Sequence, residues 1–398
     1  GLFLPEPSDL DLNKDRCLVM NSIPRTGSSS LSDRGPAQQP SARNAVCLCT
    51  DRNMLIPALF VADAVRSRAS SSANPYDVIV FCEPSEASHV HREWMERRGI
   101  ILCDTMDLSR QRGVGKFSGR LTAAALMKLS IAGHLAGQYD KILYLDADLT
   151  IHGDVGALFS LDMAGFALAA APAGRILTGL SAARQKAMLD HFQALGMSVP
   201  YRYFNSGVLL IDVAKWNDEE VGERALSFVR ANPDLCILVD EDALNAVLDG
   251  NFLELSPIWN MDPLSATSRI VRDAVLPVII HHYGEDKPWR RYGYRKRLFP
   301  DRSAYRLYEA FLKDTPWPGW LREQWTGKDL RANVEWEIRR FTRRLRGRLD
   351  EPSASQRNAR AKAVVRRCME ERFADVEQGL VTRRDGILRL AGQGAITA

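Results

Sequence analysis

No part of this 398-residue chain is apolar for the ~20 residues that a membrane-spanning helix needs. Runs such as Phe166 to Pro172 and Val275 to Ile280 stop far short of that. Cysteine is sparse: seven residues, with no Cys-x-x-Cys pair among them. That usage speaks against a disulfide framework or a structural zinc site and for a reducing compartment. The opening GLFLPEPSDLDLNKD lacks the basic-then-apolar order of a secretory leader, so the expected location is cytoplasmic. There is no internal repeat and no nucleic-acid reading module, and no nucleic acid is expected as a partner. A phosphate loop is missing too. Gly113-Val114-Gly115-Lys116-Phe117-Ser118-Gly119 has Arg110 where the first glycine belongs and Phe117 where Ser or Thr must follow the lysine. It reads instead as a loop over a crevice. Strong overall charge is also lacking, at +4 net, but the balance is uneven. From Lys287 to Arg348 there are 18 Lys/Arg against 7 Asp/Glu, about +11, which leaves about −7 for the remainder.

What is present is an alternation of short apolar strands and amphipathic helices. Residues 1–43, rich in Ser, Pro, Gln and Arg, are expected to be disordered. Strands are expected at Val46–Thr50, Asp77–Cys82, Ile100–Cys103 and Lys141–Leu145, with helices at Met54–Arg68, Ser85–Arg98 and Leu121–Leu135 between them. This is the pattern of a parallel sheet covered by helices, whose ligands lie beyond the carboxyl ends of the strands. Beyond residue 160 the pattern is mixed: strands at Phe166–Ala171, Phe204–Val213 and Val278–Tyr283, helices at Ser181–Leu195, Lys215–Arg230 and Asp242–Leu248. A domain over 44–290 is followed by a basic, Trp- and Arg-rich extension over 291–349 and a linker with a helical tail over 350–398.

Four constellations carry chemistry. Tyr144-Leu145-Asp146-Ala147-Asp148 puts two carboxylates where an apolar strand emerges, a spacing that suits hard oxygen ligands converging on a divalent cation. In Phe204-Asn205-Ser206-Gly207 an amide is available to a sugar hydroxyl, and Gly207 reads as a point of close ligand approach. Asp240-Glu241-Asp242 crowds three acids at a helix start. Capping needs only one, while three suit a developing positive charge such as that at an anomeric carbon. His281-His282-Tyr283-Gly284-Glu285-Asp286-Lys287-Pro288-Trp289 combines an imidazole metal ligand, a glycine turn and a cation for a diphosphate.

In this order the motifs YLDAD, FNSGVLL, DEDALN and HHYGEDKPW resemble glycosyltransferase family 8 over roughly Val46 to Trp289. The resemblance implies a GT-A-type, Rossmann-like mixed α/β sheet flanked by helices. It also implies a UDP-hexose donor, Mn²⁺ (or Mg²⁺) and retention of anomeric configuration. On this resemblance Asp146, Asp148 and His281 are the metal ligands, and His282 is the neighbour that does not ligate. Ala147, Gly284 and Lys287 lie at the diphosphate, and Asp51 and Asn53 fall where uracil and ribose are read. Asn205 and Asp240 contact the donor sugar, and Asp242 completes the acidic group. Two positions depart from the family: Glu241 replaces the usual Gln facing the anomeric carbon, and Lys128 replaces an Arg, keeping charge without bidentate geometry. The implied acceptor is a saccharide or glycolipid such as lipopolysaccharide, with the basic extension resting on an anionic inner-membrane face. The alternative is a nucleotide-sugar-binding protein whose transferase activity is weak or lost. A sugar nucleotidyltransferase is disfavoured, since Cys49-Thr50-Asp51-Arg52-Asn53 has no glycine to hold a triphosphate.

Overall fold

The structure, a computed structural model, describes residues 43–69, 72, 74–83, 85–104, 126–173, 182–266, 276–284, 287–289 and 303–324, with isolated helical positions at 334, 338, 341 and 342. The N-terminal segment before residue 43, the glycine-containing loop at 113–119, Glu285, Asp286, most of the arginine-rich stretch and the 350–398 tail lie outside the described residues.

Strands β1 (Asn44–Thr50), β2 (Tyr76–Cys82), β3 (Ile101–Asp104), β4 (Lys141–Leu145), β6 (Leu168–Pro172), β7 (Phe204–Asp212) and β8 (Leu253–Glu254) form one sheet in the order β3-β2-β1-β4-β7-β6-β8. Strand β1 is buried along its whole length. Its near-continuous apolar composition is what a parallel strand covered on both faces requires. Four pairings are parallel (β1 with β2 and β4, β2 with β3, β6 with β8), and β7 runs antiparallel to β4 and β6. A two-stranded ribbon pairs β5 (Leu149–Ile151) with β9 (Ile279–His281).

The antiparallel β7 decides where the site lies. Because β7 reverses direction, its first residues meet the last residues of β4. Leu145 pairs with Val208, and Asp146 N–H donates to Gly207 O at 2.9 Å. The ribbon then sets His281 opposite Leu149, one residue past Asp148. Three motifs far apart in the chain thus meet beyond the carboxyl end of β4.

Helices α1 (Leu55–Ala69), α2 (His89–Arg97), α3 (Ala182–Ala194), α4 (Val213–Asp218), α5 (Val221–Ala231) and α6 (Asp240–Leu248) accompany the sheet. The single helix expected over Lys215–Arg230 is two. Asp212 caps α4 by accepting from Lys215 N–H at 2.9 Å, and Glu220 takes a left-handed conformation (φ 52°) that ends the run before α5. A left-handed residue cannot propagate an α-helix.

Two helices follow the motif region, α7 (Ser303–Lys313) and α8 (Trp320–Glu323). Both belong to the main core. Tyr308 stacks on Phe60 at 3.8 Å, Trp317 stacks on His91 at 4.5 Å and meets Trp94 edge-on, and Trp289 packs against Tyr308 and Trp320. In this cluster Trp289 is buried and Trp317 and Trp320, from the end of the chain expected to rest on a membrane, are half-buried. Aromatic area of this size is worth more in a packed cluster than at a surface, and α1 and α2 supply the cluster.

Candidate active site

A cleft of about 320 Å³ opens beyond the carboxyl ends of β1 and β4. Its lining includes Asp51, Lys128, Tyr144, Asp146, Ala147, Asp148, Asn205, Asp240, Glu241 and His281. Asp146, Asp148 and His281 converge there, each offering a ligand atom within 4.8 Å of the other two. His281 Nε2 lies 3.1 Å from Asp148 Oδ1 and 3.7 Å from Asp146 Oδ2. Lys287 pairs with the other Asp148 oxygen. Burial opposes charge on Asp148, but His281 and Lys287 outweigh it and hold the carboxyl well below the usual range. Burial likewise opposes protonation of His281, yet Asp148 and Asp146 raise its pKa overall. Gly284 has φ 82°, a conformation that favours glycine, and open space where a Cβ would stand.

Lys128 is buried among acids. Its ammonium contacts Asp240 Oδ2 at 2.8 Å and Asp146 Oδ1 at 3.2 Å, donates to Ser206 O at 3.3 Å, and sits 4.5 Å from the centre of the Tyr144 ring. Tyr144 donates its hydroxyl to Asp146 Oδ1 at 2.7 Å. Burial pushes the Asp240 pKa up despite the pairing with Lys128. Lys128 thus bridges the acid at the end of β4 and the acid at the start of α6.

The three acids at the start of α6 do not crowd one another, because each has its own partners. Asp240 accepts from Lys128 and from Ser206 Oγ at 2.7 Å. Glu241 Oε2 accepts from Asn205 Nδ2 at 2.6 Å and Ser206 N–H at 3.2 Å. Asp242 accepts from Tyr203 OH at 2.6 Å and Leu238 N–H at 2.7 Å, and meets His191 Nε2 at 3.1 Å. Asp242 is fully buried and absent from the cleft lining, which corrects the expectation that it acts beside Glu241. It anchors Leu238, and with it the turn at Val239, whose φ of 55° is costly for a β-branched residue. That turn aims Asp240 and Glu241 into the cleft.

Three further expectations change. Asn205 does not present an idle amide to a ligand, for its NH₂ is held by Glu241 and its carbonyl accepts from Asn260 Nδ2 at 2.8 Å and Gly207 N–H at 3.1 Å. Gly207 makes room for the protein's own imidazole. A Cβ there would stand 2.2 Å from His281 Cε1 and 2.9 Å from Asp146 Oδ2. Asn53 is exposed and not part of the lining, while Asp51 lines the cleft and its carboxylate also accepts from Asn53 and Met54 N–H groups.

Sequence reasoning missed Asn245 and Asn260. Asn245, one helical turn after Glu241, exchanges hydrogen bonds of 2.9 Å with both backbone groups of Phe204, tying α6 to β7. A polar residue on the buried face of α6 was its available signal. Asn260, between Trp259 and Met261, offered none.

The comparisons with known proteins agree with this arrangement. The model of Glycosyl transferase family 8 matches residues 45–293, more than half of the chain. The chain belongs to glycosyltransferase family 8. This family-8 transferase is 27% identical over 210 residues to General stress protein A of Bacillus subtilis, covering 49% of this chain and 68% of that protein. It is 28% identical over 190 residues to Lipopolysaccharide 1,2-glucosyltransferase of Escherichia coli, covering 45% of this chain and 50% of that enzyme, about half its length. Among solved structures, the galactosyltransferase LgtC in complex with donor and acceptor sugar analogues superposes with a TM-score of 0.52 at 20% identity, covering 70% of this chain and 99% of that one. At that identity the likeness is one of fold, the GT-A type.

Proposed function

We propose that this family-8 transferase moves a hexose, galactose or glucose, from a UDP-sugar to a hydroxyl of a saccharide or glycolipid such as lipopolysaccharide, with retention at the anomeric carbon. The observation that carries this reading is the convergence of Asp146, Asp148 and His281 with Lys287, in the same cleft as Glu241 and Asn205. The residues fit a divalent cation. Two carboxylates and one imidazole favour Mn²⁺ over Mg²⁺, which prefers oxygen alone. Both acceptors facing His281 Nδ1 are amide carbonyls, so the neutral ring keeps its proton there and offers Nε2 to a metal.

When bound, the cation supplies Lewis-acid stabilisation of the diphosphate leaving group. Lys287, beside Asp148, adds a fixed positive charge for the same oxygens. The bond from the anomeric carbon to UDP breaks, the acceptor oxygen bonds to that carbon on the same face, and the acceptor proton passes to the departing phosphate. Glu241 and Asp240 place negative charge in the cleft where the sugar ring becomes positive. Lys128 pairs with Asp240 and offsets part of the burial that raises its pKa.

UDP release from a panel of UDP-sugars, with Mn²⁺, Mg²⁺ or chelator, tests the proposal. Release should require the metal and fall sharply in Asp148→Asn. Undiminished activity in that variant would remove the metal assignment, and tight UDP-sugar binding without release would favour a binding protein.

Among the described residues no helix is long and apolar enough to cross a membrane. Val334, Ile338 and Phe341 are exposed at helical spacing, 52%, 58% and 65% accessible, within a segment whose sequence carries Arg339, Arg340, Arg343 and Arg344. We propose that this stripe, rather than the packed tryptophans, rests on an anionic inner-membrane face on the cytoplasmic side. Flotation with anionic liposomes should be lost when Ile338 and Phe341 are both replaced by Asp, and equal flotation would refute it.

A further inference from the structure

Asn260 lies beside the metal ligand because the backbone places it there. It follows the turn Pro257–Trp259, and the next residue, Met261, is hydrogen-bonded around His281. Met261 N–H donates to Ile279 O at 3.0 Å, and Met261 O accepts from His281 N–H at 2.8 Å. The side chain of Asn260 is buried. Its Nδ2 donates to Asn205 Oδ1 at 2.8 Å, which turns its own carbonyl toward His281 Nδ1 at 2.9 Å.

The orientation of Asn205 follows from Glu241. An ionised carboxylate only accepts, so the group facing Glu241 Oε2 at 2.6 Å must be the NH₂ of Asn205. The Asn205 carbonyl then faces the other way, 2.9 Å from His281 Nδ1. His281 Nδ1 therefore meets two carbonyl oxygens and no donor. A lone pair at Nδ1 would point at both oxygens, whereas a proton there satisfies them. The ring is also confined in depth by Gly207, since a Cβ would occupy the space of its Cε1.

We propose that Asn260 is a positioning residue. With Asn205 it holds a proton on His281 Nδ1, so that Nε2, 3.1 Å from Asp148 Oδ1, is the nitrogen left to a cation shared with Asp146 and Asp148, and Glu241 locks the Asn205 orientation that this requires. The carboxylate at position 241 thereby acts on the metal site through one amide, in addition to its place in the sugar region of the cleft. A carboxylate or carbonyl behind a ligating imidazole fixes its tautomer and raises its basicity, and losing such a partner weakens metal binding about 10–100-fold. This inference rests on the metal reading of the site, but its first test does not.

Long-range ¹H–¹⁵N correlation on the metal-free, ¹⁵N-histidine-labelled full chain at about pH 9, above the ordinary imidazole range, reads directly which His281 nitrogens carry protons. The His281 signal is assigned by its loss in His281→Gln. The proposal expects a proton on Nδ1, with or without a second one on Nε2 where Asp148 Oδ1 lies 3.1 Å away, and an Nδ1 that carries no proton overturns it whether or not any metal binds. Mn²⁺ titration followed by electron paramagnetic resonance gives the second readout. Asn260→Ala should weaken Mn²⁺ binding about 10–100-fold and mix the tautomers. Asn260→Asp keeps an acceptor for Nδ1–H and should retain the wild-type tautomer, while Glu241→Leu, which releases Asn205, should lose it. Wild-type Mn²⁺ affinity and an unchanged tautomer in Asn260→Ala would refute the role. Failure of the wild-type protein to bind Mn²⁺ would instead refute the metal reading while leaving the tautomer result standing. If Asn260→Ala does not fold, the wild-type tautomer still decides.

Discussion

Gly207→Ala is the sharpest perturbation of this site, because a single methyl tests the packing of the whole metal triad. The added Cβ would lie 2.2 Å from His281 Cε1, 2.7 Å from His281 Nδ1 and 2.9 Å from Asp146 Oδ2. Ordinary contact begins near 3.4 Å, so the imidazole must withdraw by about 1.2 Å. It has little room to do so. Its backbone is paired with Leu149 and Met261, and its Nδ1 is held by Asn205 and Asn260. Strand β7 is itself locked between β4 and β6. Overpacking of this kind costs about 1–3 kcal/mol of stability. Displacing a reacting constellation by about 1 Å costs about 100-fold in rate, or about 2.7 kcal/mol of barrier. Urea unfolding measures the first effect and metal-dependent UDP release the second. The double variant with His281→Ala should unfold later than Gly207→Ala alone, since the clash is gone. Activity within a few-fold of wild type in Gly207→Ala would mean that His281 need not sit where the structure places it.

Three other outcomes follow from the same geometry. Lys128→Met leaves Asp146 and Asp240 without their shared buried cation, and urea unfolding should show a loss of about 3–5 kcal/mol; a change under about 1 kcal/mol would mean that the acids are solvated. The raised pKa of His281 gives opposite pH trends. Its contribution to metal-free stability is complete below the unfolded histidine value of about 6.5 and lost as pH rises through the higher folded value. Mn²⁺ affinity climbs across that same window, and a flat titration series would count against His281 as a ligand. Glu241→Gln removes one negative charge beside an incoming diphosphate, so UDP-sugar KM should fall while kcat also falls, with neither changing if Glu241 only anchors Asn205.

The acids and cations that the structure brings together were readable in the chain because their chemistry is local. Asp146-Ala147-Asp148 follows an apolar strand, and His281 and Lys287 flank a glycine turn. The sheet region was readable for a similar reason, since continuous apolar runs such as Asn44–Thr50 and Lys141–Leu145 have few other uses. What was not readable depends on contacts between distant segments. The antiparallel entry of β7 places Gly207 under His281, and that alone converts a presumed ligand approach into a packing requirement. Asp242 belongs to the same acidic run as Glu241, and only the turn at Val239 sends one inward to Tyr203 and the other toward the cleft. Trp317 and Trp320 resembled an interfacial belt because composition does not reveal that α1 and α2 leave an aromatic bed for them.

Lys128 and Glu241, where the resemblance implies Arg and Gln, have a common electrostatic setting. The network around the triad joins Asp146, Asp148, Asp240 and Glu241 with Lys128 and Lys287. If His281 is neutral and all four carboxylates are ionised, two ammonium groups leave two negative charges, the complement of one divalent cation. Glutamine at position 241 would leave one, and a cation-loaded site would then be net positive before the donor arrives. Glutamate makes it neutral. On the proposed function, a neutral site would attract the diphosphate ground state less strongly, while its carboxylate would gain interaction as the anomeric carbon becomes positive. Interactions that strengthen only on the way to the transition state raise turnover rather than ground-state affinity. Lys128 keeps this arrangement folded by pairing with Asp240 and Asp146 from a compact ammonium, which fits between two acids and a Tyr144 ring.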